Sequence, residues 1–439
     1  MSGPRNGGLQ NGGLQIDRRA FHRRAAVAAA AAVTAPTVVP ASALGLDGAV
    51  APSERIRLAG IGIRNRGSVV LRAMLAQPDV EFVAIADVRA DRRQAVKEMA
   101  DSHHGHDRCD TYLDFHDLLA REDVDAVLIA TGDRWHAPAA IHAAEAGKDV
   151  YCEKPCGMTI ELCQKLADTI SRTKRVFQAG TQRRTQSHFA HAVRLARSGR
   201  LGKLHTVHAS IYELTDRHDW LPAEPEPPRD VVDWDRWLGP APWRPYNEAY
   251  VNGRWRGHHD FDSGARLLDW GAHTLDLCQW ACEADGSGPV RWEPLDLPED
   301  NVIEGEYENG IRVVLRKSGW LGLGTCPVRF EGSDGWVETG DSGRLAVSSD
   351  EIRGDLPAPV DAGTTPWAHV RDFLDCVKTR RPPAANADVM RSSHIACHAA
   401  AISWLLRRPL RFDPATESFP DDEAANRMRR RAMRAPYVV

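Results

Sequence analysis

The chain has 439 residues, 43% of them hydrophobic and 26% charged, and a formal net charge of −4. These values are ordinary for a globular protein, and the length allows two or three domains with substantial cores. Because acidic and basic residues are mixed along the chain, the charge gives no support to nucleic acid as a partner. The nine cysteines include no CxxC pair and no zinc-finger spacing, so we expect buried free thiols and no metal site.

The N-terminal segment predicts an export signal rather than part of the fold. Residues 17–21 (DRRAF) resemble a twin-arginine motif, an alanine-rich apolar run follows over 25–39, and residues 41–43 (ASA) form an A-x-A cleavage pattern. The apolar run is short for a transmembrane span; the alternative is a disordered, arginine-rich N-terminus. We expect a signal peptide over 1–43, a linker over 44–54, and a protein exported to the periplasm or cell surface with no other membrane association.

The first element of the folded part is a strand at 55–60 (RIRLAG), followed by the glycine-rich stretch 60–67 (GIGIRNRG) and a helical pattern. A glycine loop between a strand and a helix cradles a pyrophosphate at the helix N-terminus. The candidate dinucleotide ligands here are Gly60, Gly62, Ile63 and Arg64. The spacing G-x-G-x-x-x-x-G is longer than the usual G-x-G-x-x-G.

A second strand over 79–87 (DVEFVAIAD) ends at Asp87. A carboxylate in this place fits a ribose 2′-hydroxyl and repels a 2′-phosphate, which favours NAD. The alternative is a helix cap before the polar run that follows. Arg89 and Arg92 leave NADP open as the second choice.

The alternation of strands and helices continues to residue 180. Residues 124–131 (VDAVLIAT) predict a strand covered on both faces, and 149–152 (DVYC) predict another, which Glu153, Lys154 and Pro155 end. The pattern predicts a doubly wound domain with a parallel sheet. Ligands bind outside the carboxyl ends of such strands, so Lys154 is placed to meet a ligand.

Four motifs together resemble the Gfo/Idh/MocA family, named for glucose-fructose oxidoreductase and inositol dehydrogenase. They are GIG…G at 60–67, IAD at 85–87, ATGDRWH at 130–136 and AGKDVYCEKP at 146–155. The resemblance runs from residue 55 to the C-terminus. It implies an α/β protein with a Rossmann NAD(P)-binding domain over 55–180, in which Thr131, His136, Glu153 and Lys154 join the cofactor ligands.

The resemblance also implies an α+β C-terminal domain over 181–411, with a large open, mainly antiparallel sheet that carries the substrate and the contacts of a homo-dimer or homo-tetramer. Residues 204–212, 301–307, 311–317, 328–332 and 335–340 predict strands, and 367–378 and 388–406 predict helices. A loop over 215–252 is long enough to suggest a functional role. We interpret the arginines of the tail, 412–439, as a solvated or subunit-facing surface.

The stretch 267–277 (LLDWGAHTLDL) places Asp269, His273 and Asp276 on one face of a helix. Oxidation of an alcohol by a nicotinamide needs a base for the hydroxyl proton, and a histidine oriented by a carboxylate is suited to that role. A structural Asp–His pair or a metal site is the alternative. The resemblance implies that His273 is the acid/base, Asp269 its orienting partner or a substrate ligand, and Lys154 the hydroxyl-binding cation.

Two further stretches are candidate substrate contacts. Arg183, after the last strand of the first domain, can recognise an anionic substituent or form a salt bridge within the protein. Trp255, Arg256, His258 and His259 can stack on a sugar ring and hydrogen-bond to it, or can belong to a surface loop.

The sequence therefore predicts an exported NAD(P)-dependent oxidoreductase acting on a small carbohydrate: a sugar, glycoside or polyol. One alternative is an NAD-dependent glycoside hydrolase that works by transient oxidation and elimination. The other is a non-redox protein on a degenerate Rossmann scaffold.

Overall fold

Two β-sheets carry the fold in a computed structural model that describes Gly3 and residues 50–297, 300–354 and 365–439. The predicted signal peptide, apart from Gly3, and most of the predicted linker lie outside the described residues. Residues 50–54 belong to a separate unit and contain a short 3₁₀ turn, Pro52–Glu54.

The first sheet is parallel and has six strands in the order β3-β2-β1-β4-β5-β6. The strands are β1 Ile56–Ile61, β2 Val80–Ala86, β3 Asp110–Tyr112, β4 Ala126–Ile129, β5 Asp149–Cys152 and β6 Phe177–Ala179. Every residue of β4, β5 and β6 is buried, as expected for strands that are covered on both faces. The strand order reverses between β1 and β4, which opens a ligand crevice at their carboxyl ends. The predicted doubly wound sheet is confirmed.

Helices lie on both faces of this sheet. They are α1 Arg66–Leu75, α2 Ala90–His104, α3 Phe115–Leu119, α4 Asp133–Glu145 and α5 Ile160–Thr173. On one face α1 and α2 pack with a helix from much later in the chain, Trp367–Thr379, whose Phe373 ring lies 5.7 Å from that of Tyr151. Asp79 accepts hydrogen bonds from Arg371 and Lys378 of that helix. The first core therefore includes a helix from the predicted C-terminal domain.

The second sheet has eight strands in the order β13-β12-β11-β7-β10-β9-β8-β14, and only the β7–β10 pair is parallel. The strands are β7 Leu204–Ser210, β8 Arg291–Leu297, β9 Asp300–Glu306, β10 Arg312–Arg316, β11 Val328–Gly332, β12 Gly335–Thr339, β13 Leu345–Val347 and β14 Leu410–Arg411. The predicted large, mainly antiparallel sheet is confirmed.

Some of the remaining helices pack between the two sheets and connect them. They are α6 Ser187–Arg197, α7 Trp234–Leu238, α8 Leu267–Ala281, α9 Asp350–Arg353, α10 Trp367–Thr379, α11 Ala387–Leu406 and α12 Glu423–Arg427. Helix α8 packs on β7, and α11 packs on both α8 and α5, so α11 joins the two halves. Alanine makes up much of the buried surface of α11, which lets the neighbouring helices approach closely.

Some elements were not predicted from the sequence. Helix α6 has an apolar stripe at Phe189, Val193 and Ala196, but its histidines weaken the pattern. Strand β8 contains Pro294, and proline normally argues against a strand interior.

All nine cysteines are free thiols, and eight of them are buried. Among the described residues, no helix is both long and apolar enough to span a membrane.

Candidate active site

The glycine loop lies where β1, α1 and β4 meet. Gly62 has a φ of +67°, and a Cβ added there would lie 2.3 Å from Cγ2 of Thr131. Gly67, in the first turn of α1, would place a Cβ 2.6 Å from Cβ of Ala130. Because no side chain fits at either position, the glycine loop and the first turn of α1 pack directly against the end of β4, which leaves the loop backbone at the crevice uncovered by side chains. This arrangement fits a pyrophosphate despite the longer glycine spacing.

Not all predicted ligands of this loop reach the crevice. Gly60 and Ile63 lie beneath it, where a Cβ on Gly60 would lie 2.5 Å from Cδ1 of Ile63. Their contribution is to the packing of the loop. Arg64 does line the crevice, and its Nη1 donates to the carbonyl of Val251, 3.0 Å away.

We expect Gly62→Ala to weaken NAD binding by at least about tenfold, because it adds a steric overlap with Thr131 to about 1 kcal/mol of left-handed strain. Gly105→Ala is the matched control: its φ is +71° and nothing lies within 4 Å of the added Cβ. Fluorescence titration with NAD checks the pair. Equal NAD affinities in the two variants would contradict the cradle.

The acid at the end of the second strand faces the same crevice. Oδ1 of Asp87 accepts from the backbone N–H of Arg89 at 3.0 Å, while Arg93 donates to the Asp87 carbonyl. Burial raises the pKa of Asp87 to about 6, so the carboxylate is ionised at neutral pH. The Arg89 guanidinium bonds both oxygens of Asp91 and does not bond the Asp87 carboxylate. The Asp87 carboxylate can therefore accept hydrogen bonds from the hydroxyl groups of a ribose.

Three further predicted ligands follow β4 and β5. Thr131, His136 and Glu153 all line the crevice. A ring nitrogen of His136, Nδ1, lies 2.7 Å from the carbonyl oxygen of Pro155, and burial lowers the His136 pKa. Glu153 is buried and accepts from Nε2 of Gln182 at 2.7 Å. These side chains are therefore held in place by the chain around them.

The crevice is one cleft of about 740 Å³, lined by the carboxyl ends of strands of the first sheet, by helix α8 and by residues of the loop that precedes α8. Asp87, Phe115 and His116 lie on its Rossmann side, and Lys154 and His273 lie where the two halves meet. Val251, in the predicted long loop, extends over the glycine loop. The cleft is thus built from both halves of the chain.

The C-terminal tail also lines this cleft. Tyr437 packs its ring 5.4 Å from that of Trp135 and donates from its hydroxyl to Asp235 at 2.6 Å. The backbone N–H of Arg434 donates to the carbonyl of Pro240. The expectation that the tail arginines face solvent or another subunit is wrong for Arg434, because its guanidinium bonds the Gly239 and Asp235 carbonyls.

Lys154 follows the end of β5, and its side chain is held by contacts with residues of α8. Its Nζ donates to the backbone carbonyl of Asp269 and lies 3.2 Å from Oδ1 of the same residue. The Trp270 ring centroid lies 5.6 Å from Nζ. Asp269 does not itself line the cleft; it also lies 3.4 Å from Nη1 of Arg256. Although burial acts to raise the Asp269 pKa, the charges of Lys154 and Arg256 hold it below its ordinary value.

His273 lines the cleft one helical turn further along α8. Its ring centroid lies 5.7 Å from that of Trp270, and Nδ1 has no hydrogen-bond partner in the part of the chain that the structure describes. The predicted orienting bond, in which the His273 ring donates to Asp269, is therefore not formed, because that carboxylate is paired with Lys154 and Arg256 instead. Burial, and then the charges of Lys154 and Arg183, lower the His273 pKa well below its ordinary value.

Arg183, Trp255 and Arg256 line the cleft, as the predicted substrate contacts require. Arg183 is buried, however, and donates to the carbonyls of Cys326 and Thr325 and to Asp341. These bonds favour the salt-bridge alternative for Arg183. Arg256 is more exposed and stacks on the adjacent Trp255 ring at 4.5 Å.

The two histidines of the same stretch do not lie in the cleft. His258 is buried against the ring of Tyr250, 5.2 Å away, and His259 lies 3.0 Å from Asp216. The prediction that they contact the substrate is corrected by this geometry, since the backbone turns at Gly257, φ +79°, and directs them away.

Several residues that line the cleft were not predicted from the sequence. Trp270, which contacts both Lys154 and His273, lies within a recognised motif and could have been chosen as the aromatic residue between Asp269 and His273. Trp237 and Tyr437 carry no local signal, because long-range packing brings them to the cleft.

Comparison with protein families finds two matches along the chain. Residues 55–181 match the Gfo/Idh/MocA model described as an oxidoreductase family NAD-binding Rossmann fold. Residues 218–439, half of the chain, match the model for a C-terminal alpha/beta domain of that oxidoreductase family.

Curated relatives match over about a third of the chain. A glycosyl hydrolase family 109 protein from Saccharopolyspora erythraea is 39% identical over 127 residues, which are 28% of this chain and 27% of that protein. An inositol 2-dehydrogenase from Salmonella typhimurium is 33% identical over 157 residues, 35% of this chain and 45% of that protein. The matched stretches thus cover less than half of each relative.

A solved structure shows the same fold over most of the chain. The myo-inositol 2-dehydrogenase of Lactobacillus plantarum aligns with a TM-score of 0.58 and 20% identity, covering 81% of this chain and 99% of that one.

Proposed function

Because the chain belongs to the Gfo/Idh/MocA oxidoreductase family, with an NAD-binding Rossmann fold and a C-terminal α/β domain, we propose that it oxidises or reduces a sugar, glycoside or polyol with NAD. The observation that carries the proposal is the meeting of Lys154 and His273 at one end of the NAD cleft. The inositol 2-dehydrogenase relative supports the polyol and sugar class of substrate.

When bound, NAD⁺ supplies the hydride acceptor. Lys154, a cation fixed by Asp269, binds the reacting hydroxyl oxygen and stabilises the negative charge that develops on it. His273 takes the hydroxyl proton as the carbon–hydrogen bond breaks and the carbonyl forms. The hydride leaves with both electrons of that bond, so the substrate loses two electrons and one proton passes to the imidazole.

The walls of the cleft position the sugar ring for this step. Trp270 offers an aromatic face beside the Lys154 cation. Arg256 lines the cleft close to Asp269. Its guanidinium N–H groups can donate hydrogen bonds to the other hydroxyl groups of a carbohydrate. These residues form a polar end to a cleft whose walls are otherwise largely apolar.

A second candidate function is glycoside hydrolysis by transient oxidation, elimination and re-reduction. The glycosyl hydrolase relative supports it, and so does one feature of the cleft: Val251 and the tail residue Tyr437 line it from outside the Rossmann fold. A cofactor enclosed in this way is suited to a reaction that regenerates it.

Mass spectrometry of nucleotide released from natively purified, then denatured protein tests the proposal. We expect stoichiometric NAD or NADH. Assays of inositol, aldoses and nitrophenyl glycosides then separate the two candidates. Net formation of reduced nicotinamide supports the oxidoreductase, and nitrophenol release without net reduction supports the glycosidase. Protein that neither retains nor binds NAD or NADP would overturn both and favour a non-redox role.

Export by the twin-arginine route to the periplasm or cell surface, and assembly as a homo-dimer or homo-tetramer, are parts of the same proposal. A cofactor loaded before export suits a route that carries folded proteins. Cell fractionation and light scattering check the two parts.

A further inference from the structure

A cluster of three potential metal ligands lies outside the cleft, where the start of the long loop meets the stretch 254–262. One ligand atom each from Asp216, His218 and His259 lies within 4.8 Å of the other two. The two imidazoles are stacked with centroids 4.8 Å apart, and they bond different oxygens of the same carboxylate at 2.8 and 3.0 Å. The sequence did not suggest this cluster, because His259 is far from the other two ligands along the chain.

Backbone bonds hold the two halves of the cluster together independently of the side chains. Arg217 donates its N–H to the Gly257 carbonyl, and His259 donates its N–H to the Arg217 carbonyl, each at 2.8 Å. A Cβ added at Gly257 would lie only 3.0 Å from Cγ2 of Thr215, so a side chain there would crowd Thr215. The two backbone segments that carry the ligands are thus hydrogen-bonded to each other before any ion binds.

Contacts from the C-terminal tail also fix the His259 side of the cluster. The buried guanidinium of Arg431 donates to the carbonyls of His259 and Asp262. The backbone that presents His259 is therefore held from two directions.

We propose that Asp216, His218 and His259 bind a divalent transition-metal ion of the zinc class. Two imidazoles and a carboxylate are a common ligand set for zinc, and three protein ligands leave one position for water. Ligand atoms on a tetrahedral zinc ion are separated by about 3.3 Å. The present separations of 2.8 and 3.0 Å join the two rings to different oxygens of Asp216, and the three ligand atoms lie within 4.8 Å of one another. Binding an ion would therefore draw the two rings together around one carboxylate oxygen. His218 is 66% exposed, which gives the ion a path from solvent.

The ion would tie residue 216 to the segment that carries Trp255 and Arg256 into the cleft. The second cluster with suitable geometry, Glu81, His104 and His106, is less suited to an ion. There Arg55 already bonds the carboxylate at 2.8 Å, and His104 accepts from the backbone N–H of Phe82.

Calorimetric titration of the full, tag-free chain with Zn²⁺ after chelator treatment tests the site. We expect one ion per chain, with affinity lowered at least about tenfold in His218→Ala and in His259→Ala. His106→Ala, in the second cluster, is the matched control and should bind as the parent does.

Cobalt(II) provides a second readout, because its visible absorption bands report on the ligands directly. These bands should appear with the parent and the control and be lost in both cluster variants, while circular dichroism shows all proteins folded. Absence of a stoichiometric binding event, or its persistence in both cluster variants, would overturn the proposal. Neither result depends on the oxidoreductase activity.

Discussion

Replacing Lys154 with methionine is expected to lower turnover by about 10²- to 10³-fold while NAD still binds. Methionine keeps the length of the side chain but removes the charge that would stabilise the developing alkoxide. The glycine loop and Asp87, which form the other end of the cleft, do not contact the ammonium group. Steady-state kinetics and NAD titration on the same preparation separate the two effects.

The fold should survive this change, because Asp269 keeps two other cations. Arg256 lies 3.4 Å and Arg266 3.9 Å from its carboxylate. Lys203→Met, on an exposed lysine at the start of β7, is the matched control and should leave turnover unchanged. If Lys154→Met retained more than a tenth of parental turnover, Lys154 would not bind the reacting oxygen.

The Rossmann half was predictable because its signals are local. Strands β1, β2, β4 and β5 are short apolar runs ended by glycine, aspartate or proline, and each is covered on both faces. The residues at their carboxyl ends meet in one crevice by topology alone. This is why Asp87, Thr131 and Lys154 could be placed without knowing any contact.

The partners of the site residues could not be predicted in the same way. Helical spacing puts Asp269 and His273 on one face, but the choice of partner depends on what another element brings within reach. Lys154, which follows β5, and Arg256, in the stretch before α8, pair with the carboxylate. His273 is left with packing against Trp270 instead of donating a hydrogen bond to Asp269.

The stretch 254–262 shows a second limit of sequence reasoning. Adjacent residues in RWRGHHDFD were predicted to face a substrate together, yet the turn at Gly257 separates them. Arg256 stays in the cleft, while His258 enters an aromatic cluster and His259 reaches Asp216. A glycine with positive φ is visible in sequence only as a glycine, so the change of direction was not foreseen.

No carboxylate among the described residues orients His273, and this has a measurable consequence. A histidine bonded to a carboxylate has a raised pKa, whereas burial and the neighbouring charges of Lys154 and Arg183 lower the pKa of His273 well below its ordinary value. A base acts in its unprotonated form, so a lowered pKa keeps it active at lower pH. We therefore expect kcat/KM for oxidation to show no loss from this group between pH 8 and the ordinary histidine pKa of about 6.5. A decline assigned to His273 should begin only at lower pH.

His273→Gln is expected to lower turnover by about 10²- to 10⁴-fold, the usual contribution of a general base. Glutamine roughly preserves the volume of the ring beside Trp270 but cannot accept the proton, so NAD binding should be retained. His205→Ala, on an exposed histidine of β7, is the control and should match the parent in rate and pH profile. An acid limb in the parent centred near pH 6.5, and lost in His273→Gln, would show a base with an ordinary pKa. The carboxylate would then orient the ring during turnover despite its pairing with Lys154.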